Sequence, residues 1–278
     1  MQRIGNVTET ADLNGEFTDG RVAQGVPPTI LPAAIFNTWQ RELVNIVEGA
    51  GMVLDPQNDG QVLEAINKHV SSGRLLNIQR FLISGTYTPT PGTKRVLIKA
   101  WGGGGAGGGT PSVTTTQSAV AGGGAAGAYV ESLIDAPMSP LPVVVGAGGI
   151  AAIGADGQSG SPTTVGNIVA PGGPGGAVGV ASAAFPFGAA PKNPTIGTGG
   201  NIINAPGNTA SMGFTWSNGG AIRSMGGQSD VGSSQYAANA IGNCAGGSGA
   251  VSAGSIGAQA ALAGYNGAPG LIIIEEYA

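Results

Sequence analysis

Glycine fills 53 of the 278 positions, and 43 of those glycines lie after residue 100. No other feature restricts the chain so strongly. Glycine loses more backbone entropy on ordering than any other residue and contributes no side chain to a core. A fold made from it must compensate with backbone hydrogen bonds, with a few dense apolar strands, or by association with further copies. Charge runs the other way. Residues 1–100 hold 18 of the 26 charged side chains, whereas residues 101–270 hold only Glu131, Asp135, Asp156, Lys192, Arg223 and Asp230. Sparse charge with plentiful Gly and Ala excludes the ordinary disordered class, which is rich in Lys and Glu and poor in apolar residues. No Gly-X-Y period is sustained, so collagen is excluded too.

The net charge of −4 and the lack of any Lys/Arg stripe argue against nucleic acid as a partner. A single cysteine, Cys244, allows no intrachain disulfide. Residues 1–6 contain no apolar signal-type region, and no run of about 18 apolar residues exists to span a membrane. The expectation is synthesis in a cytoplasm without export by a classical signal.

Three regions are expected: residues 1–31, 32–73 and 74–278. The first is polar and punctuated by Asn14-Gly15, Thr18-Asp19-Gly20 and Pro27-Pro28, which reads as extended chain with too little apolar surface to fold alone. From Pro32 the period becomes helical. Ile35, Trp39, Leu43, Ile46 and Val47 share one face, Pro32 suits the start, and Gly49 and Gly51 suit the end. A second short helix carries Val62, Leu63, Ile66 and Val70, with Asp55-Pro56 or Asn58-Asp59 as cap and Ser71-Ser72-Gly73 as its close.

Strand signals begin at residue 80. One strand is expected over 80–88, then 94–101, 128–134, 141–145, a weaker one over 163–169, and the β-branched run 270–277. Between them lie Gly-rich segments, chiefly 102–127 and 171–267, far longer than ordinary loops. Such segments are either disordered or ordered by mutual packing, as in polyglycine-II-like helices whose amides bond sideways. The expected fold class is therefore mainly β: a short helical N-terminal region, then a glycine-rich antiparallel β-sandwich-like domain with long Gly-rich loops.

Residues 18–66 resemble the N-terminal region of phage and prophage tail proteins. The resemblance is carried by Phe17-Thr18-Asp19-Gly20, by Gly25-Val26-Pro27-Pro28-Thr29-Ile30-Leu31-Pro32-Ala33, by Phe36-Asn37-Thr38-Trp39-Gln40-Arg41-Glu42-Leu43 and by Asp59-Gly60-Gln61-Val62-Leu63-Glu64-Ala65-Ile66. Residues 80–278 resemble the Gly-rich domain at the ends of phage fibres, through Trp101 followed by residues 102–109, Pro142-Val143-Val144-Val145-Gly146-Ala147-Gly148-Gly149, and Pro269-Gly270-Leu271-Ile272-Ile273-Ile274-Glu275. These resemblances imply a homotrimeric tail fibre or tail-tip adhesin, a virion component made in the host cytoplasm. Residues 1–70 would join it to other tail or baseplate proteins, and the remainder would bind a bacterial surface receptor. Ile35, Trp39, Leu43, Ile46 and Val47 then become the candidate oligomer core. A structural baseplate or fibre connector and a polysaccharide-degrading tailspike are the alternatives.

No constellation for catalysis, cofactor or metal is evident. Gly102-x-Gly104-x-x-Gly107 follows a strand, but a dinucleotide fingerprint needs a helix to begin there, and Gly108-Gly109-Thr110-Pro111 is a poor start. His69 lacks ligand or triad partners and reads as a helix-terminal cap or surface residue. Cys244 has no basic neighbour and reads as buried filler. No Asp/Glu pair of the kind needed for glycoside hydrolysis is placed by the sequence alone; Glu275 and Glu276, adjacent on a strand, must face opposite sides. The candidate receptor-binding residues are Phe185, Phe187, Phe214, Trp216 and Tyr236, aromatics among Gly, Ser and Asn, a composition like that of antibody binding loops. The competing reading is that each ring packs its own loop. Periodicity places Trp39 and Trp101 in cores.

Overall fold

A computed structural model describes residues 2–71, 73–137 and 139–278, and the chain divides into two units between Arg74 and Leu75. Ser72, within the expected helix close, lies outside the described residues.

In the first unit, helix α1 spans Ala33–Gly49 and helix α2 spans Gln61–Ser71. Pro32, in extended conformation, precedes α1, and Gly51 takes a positive φ just beyond it. Of the two expected caps for α2, the Asn58 pair stands at the helix start: Asn58 Oδ1 accepts from the Gly60 amide at 2.8 Å. Asp55 instead organises the turn before it, accepting from the Gln57 amide. His69 crosses to α1, its Nε2 3.3 Å from the Ile46 carbonyl in the last turn. Residues 2–31 are not extended. Thr and Asp side chains bond the backbone into turns: Asp12 Oδ1 accepts from the Asn14 and Glu16 amides, and Thr10 Oγ1 from the Ile30 amide. The unit's apolar stripe is incompletely covered, because α2 is 11 residues long against 17 in α1. Ile35 and Val47 are buried and Ile46 half-buried, but Leu43 is exposed. Trp39, expected in the core, is 39% exposed and rests against Phe36 and Phe17, with ring centroids 5.6 and 5.9 Å away.

The second unit is built from antiparallel sheets. Strands β1 (Leu75–Phe81), β16 (Leu271–Tyr277), β3 (Arg95–Trp101), β5 (Tyr129–Asp135) and β10 (Ile203–Ala205) lie side by side in that order. A second sheet runs β2 (Gly85–Tyr87), β6 (Leu141–Val144), β7 (Thr163–Val165) and β8 (Ile168–Ala170). The buried side chains of the two sheets form one core that includes Tyr87, Val96, Ile98, Val130, Val143, Ile168, Ile272 and Ile274. The expected sandwich is therefore present, with corrections to its strands: β1 begins at Leu75, before the expected residue 80, and β10 adds an edge strand within a segment expected only as Gly-rich. The run 80–88 breaks at the exposed Leu82 and Ile83, so that β1 and β2 join different sheets. The run 163–169 is a hairpin, because Gly166 turns the chain at φ +56°. At the far end of β16, Glu276 points inward and Glu275 outward. Glu276 is buried and accepts from Tyr87 Oη, Gln79 Nε2 and the Thr90 amide, while Glu275 pairs with Lys99 Nζ at 2.6 Å.

The Gly-rich segments are ordered by mutual packing. Along residues 102–110 the amides turn to a new neighbour at each residue and return after three. Gly103, Ala106 and Gly109 donate to the carbonyls of Ser161, Gln158 and Ala155; Gly104, Gly107 and Thr110 to Ala268, Tyr265 and Leu262; Gly102, Gly105 and Gly108 to Ala128, Ala125 and Gly122. Carbonyls of the same segment accept from Gly173, Gly176 and Gly179, from Gly149, and from Gly247 and Ala250. A three-residue turn without internal hydrogen bonds is the geometry of the polyproline-II family, and here the segment has neighbours on six sides. The chains pack too closely for side chains. A Cβ on Gly104 would lie 2.0 Å from the Ala245 carbonyl oxygen, and one on Gly107 2.0 Å from that of Ser248. The dinucleotide reading of these glycines fails on the same geometry, since residues 102–117 contain no helix.

Within 102–127 and 171–267, expected only as Gly-rich segments, short strands also form. Strands β12 (Gly220–Ile222), β11 (Gly213–Ser217) and β9 (Phe187–Ala189) make a small sheet; β4 (Ser118–Val120) pairs with β15 (Val251–Ala253), and β13 (Gly232–Ser233) with β14 (Ile241–Gly242).

Candidate aromatic binding face

The small sheet sorts the aromatic candidates by pleat. Alternate residues of a strand face opposite sides, and along β11 the inward Gly213 and Thr215 are buried while Phe214 and Trp216, and Met212 just before the strand, are exposed. Phe214 sits opposite Ile222 of β12 and Gly188 of β9, so Ile222, itself 56% exposed, extends the same outer face. Two glycines make room for the rings. A Cβ on Gly220 would strike the Trp216 indole at 2.3 Å, and one on Gly188 would touch both the Phe214 ring and the Met212 sulfur at about 3.5 Å. The rings thus lie along the sheet over bare backbone.

The other candidates are placed elsewhere. Phe187 is opposite the inward Thr215, so it belongs to the other face of the sheet, and it stacks on Phe185 with centroids 5.7 Å apart. Both are half-buried, which matches the reading that they pack their own loop. Tyr236 is 62% exposed and stands beside Arg223, whose guanidinium lies 6.0 Å from the Tyr236 ring and 5.4 Å from that of Tyr265 while donating to the Gly249 carbonyl. A cation between two rings restricts their motion at little cost in exposure. The sequence reading missed Met212, Ile222 and Arg223. The alternation Met212-Gly213-Phe214-Thr215-Trp216 carried the signal for the first, since one face of a strand takes every second residue.

The carboxylates of this unit are engaged in contacts within it. Glu131 accepts from Tyr129 Oη at 2.7 Å, Asp156 bonds the Val178 amide and Lys192, Asp135 faces Arg95 at 3.9 Å, and Asp230 accepts from the Trp101 indole. The Val178 amide, then Lys192, hold Asp156 below the usual carboxylate range. Burial of Tyr129, reinforced by its bond to Glu131, pushes its phenol upward, so it stays a donor. Cys244 is buried beside Trp101 and Leu271, and burial raises its thiol well above the ordinary value; it is core filler, as expected. Trp101 is in the core as expected.

Residues 82–277 match the family model described as a glycine-rich domain. No curated protein matches the chain.

Proposed function

Taking as premise that the chain belongs to this glycine-rich domain family, we propose that it is a receptor-binding subunit of a phage tail and acts without catalysis. The phage assignment rests on the two sequence resemblances. The observation that carries the binding reading is the outer face of Phe214, Trp216, Ile222 and Met212, exposed on a sheet whose backbone is fixed. Exposed aromatics clustered on one rigid face suit a protein interface, since rings supply large contact area with few rotatable bonds to freeze. The first unit attaches the subunit to other tail or baseplate proteins, and the exposed Trp39 and Leu43 on α1 support self-association into a trimer.

The test uses the full chain. Purified protein is expected to bind host cells and block adsorption of the parent phage, without releasing reducing ends from host polysaccharide. The variant Phe214→Ala/Trp216→Ala should lose the binding. Reducing-end release would instead favour a tailspike. Normal virion incorporation with no cell binding at all would favour a structural connector.

A further inference from the structure

One cation of the glycine-rich unit has no counter-ion. Residues 101–270 contain two basic side chains, Lys192 and Arg223, and Lys192 pairs with Asp156 at 3.1 Å. Arg223 pairs with no carboxylate among the described residues, and Glu131, Asp135, Asp156 and Asp230 are engaged elsewhere. Its guanidinium is held by neutral groups instead. Nη1 donates to the Gly249 carbonyl at 2.6 Å, and the rings of Tyr265 and Tyr236 flank it with centroids 5.4 and 6.0 Å away. Nε is buried without an acceptor. Nη2 has no acceptor among the described residues either, but it is not buried, so this edge of the fork faces solvent. The hydroxyls of Tyr236 and Tyr265 also make no hydrogen bond among the described residues.

The frame around the guanidinium is fixed by the lattice. Next to Arg223, Ser224 Oγ donates to the Ala121 carbonyl, and the Ser224 carbonyl accepts from the Gly249 amide. Tyr265 is tied at both ends, its amide to Ser248 and its carbonyl to the Gly107 amide. Tyr236 sits on a turn pinned by Ser234 Oγ, which accepts from the Gly226 amide, and by the Ala238 carbonyl, which accepts from Ser248 Oγ. Within that turn Ala237 is held at φ +53°, a left-handed conformation that alanine rarely adopts. Such strain persists where the surroundings over-determine it, and ligand clamps are among the places where it gathers.

A half-buried charge without a counter-ion has given up part of its hydration, and an incoming anion restores what was lost. The planar fork of arginine matches a carboxylate, and one guanidinium balances one negative charge. A phosphate dianion would call for a second cation, and Lys192 is occupied by Asp156. The flanking rings offer an apolar bed for a short methylene stem. A carboxylate on such a stem is an aspartate or glutamate side chain. We propose that Arg223, between Tyr236 and Tyr265, binds an acidic side chain of a protein on the host surface. This deepens the receptor-binding reading and rests on it for the source of the carboxylate. Because the frame is preformed, little ordering cost opposes binding.

The experiment follows the Arg223 Nε–H resonance of the arginine-labelled full chain, at fixed ionic strength, as N-acetylaspartate methylamide is added. The asparagine analogue and methyl glucuronoside form parallel arms, and adsorption to host cells is measured alongside. The aspartate ligand should shift the resonance and saturate in the millimolar range, while the asparagine analogue leaves it unmoved. Arg223→Lys keeps the charge but loses the fork, so it should adsorb to cells about tenfold less well, with circular dichroism showing it folded. Protease treatment of the cells should abolish adsorption of the unaltered chain. No shift at Arg223 with the aspartate ligand, or an equal shift with the asparagine analogue, overturns the proposal. Tighter binding of the glucuronoside, with adsorption that survives protease, overturns the protein partner in favour of an acidic saccharide. Carboxylate binding without any cell adsorption sinks the receptor-binding reading and leaves the carboxylate site standing. Adsorption without carboxylate binding does the reverse.

Discussion

The two units reach order by opposite means. The first depends on side chains: an amphipathic helix pair, and threonine and aspartate side chains that tie down the turns before it. It nonetheless leaves Trp39, Leu43 and Phe36 exposed. The second depends on backbone. Its central segment buries residues 102–110 entirely while offering hardly any side chain, and its amides and carbonyls bond neighbours on every side. A helix pair can leave an apolar stripe uncovered and remain folded, whereas a backbone lattice has no spare surface. The first unit is thereby open to partners along its elements. The second can be open only where the lattice ends, at its small sheets and notches.

The sharpest way to break this contrast is to add side-chain atoms to the lattice. Gly104→Val places carbon where the Ala245 carbonyl already stands, and is expected to cost more than about 4 kcal/mol, enough to abolish folding of residues 75–278. Circular dichroism should then show the strand signal lost. An equally stable variant would mean the lattice can spread, and the account of its glycines would be wrong.

Leu43→Asp tests the first unit. If its stripe is buried between copies, sedimentation should show a mass of about three times 27.0 kDa falling to that of one chain. The cause is a set of charges brought together in an apolar seam. The melting temperature of the second unit should not move. A wild-type chain that sediments as a monomer removes the trimer.

Trp216→Ala on the outer face should weaken cell binding by about 2 kcal/mol, or some thirtyfold. Stability should change by no more than about 0.5 kcal/mol, because the ring is exposed. Loss of stability in step with binding would mean that the ring packs the sheet and does not make the contact.

The smallest effect concerns Glu276. Burial alone would raise its carboxyl, but hydrogen bonds from Thr90 and Tyr87 outweigh it and hold the group below the usual range. A depressed folded-state value adds stability above the unfolded carboxylate pKa of about 4.3, and that stability is lost as pH falls through the folded value. Glu276→Gln should therefore cost about 1 kcal/mol at neutral pH and less in acid, read from urea melts at several pH values. A constant difference across pH would show that the carboxylate charge is not what matters.

Much of this was legible in the chain. The helix periods and the apolar strands around the core follow from local pattern, whereas for the glycine segments the sequence left disorder and sideways bonding as alternatives. What was hidden depended on tertiary context. The break at Leu82-Ile83-Ser84 is held by the Ser84 hydroxyl accepting from the Val145 amide, a partner 61 residues away. Met212 and Ile222 escaped because β11 is a five-residue strand inside a stretch dominated by glycine, where alternation is easily overlooked. Trp39 was assigned to a core by a period that says which side of a helix is apolar, not how much of that side the neighbouring helix covers.

The three-residue return of the lattice amides sets a rule for how such a domain can change length. Inserting one residue into the segment 102–110 rotates every later amide by a third of a turn, away from its partner and toward a different neighbour. Inserting three restores the phase. Connections between lattice segments carry no such constraint. Descendants of this chain should accordingly vary freely at the turns and small sheets that rim the lattice, and within it gain or lose residues only in threes. The rim of the lattice is then the part free to change, while the glycine interior keeps count.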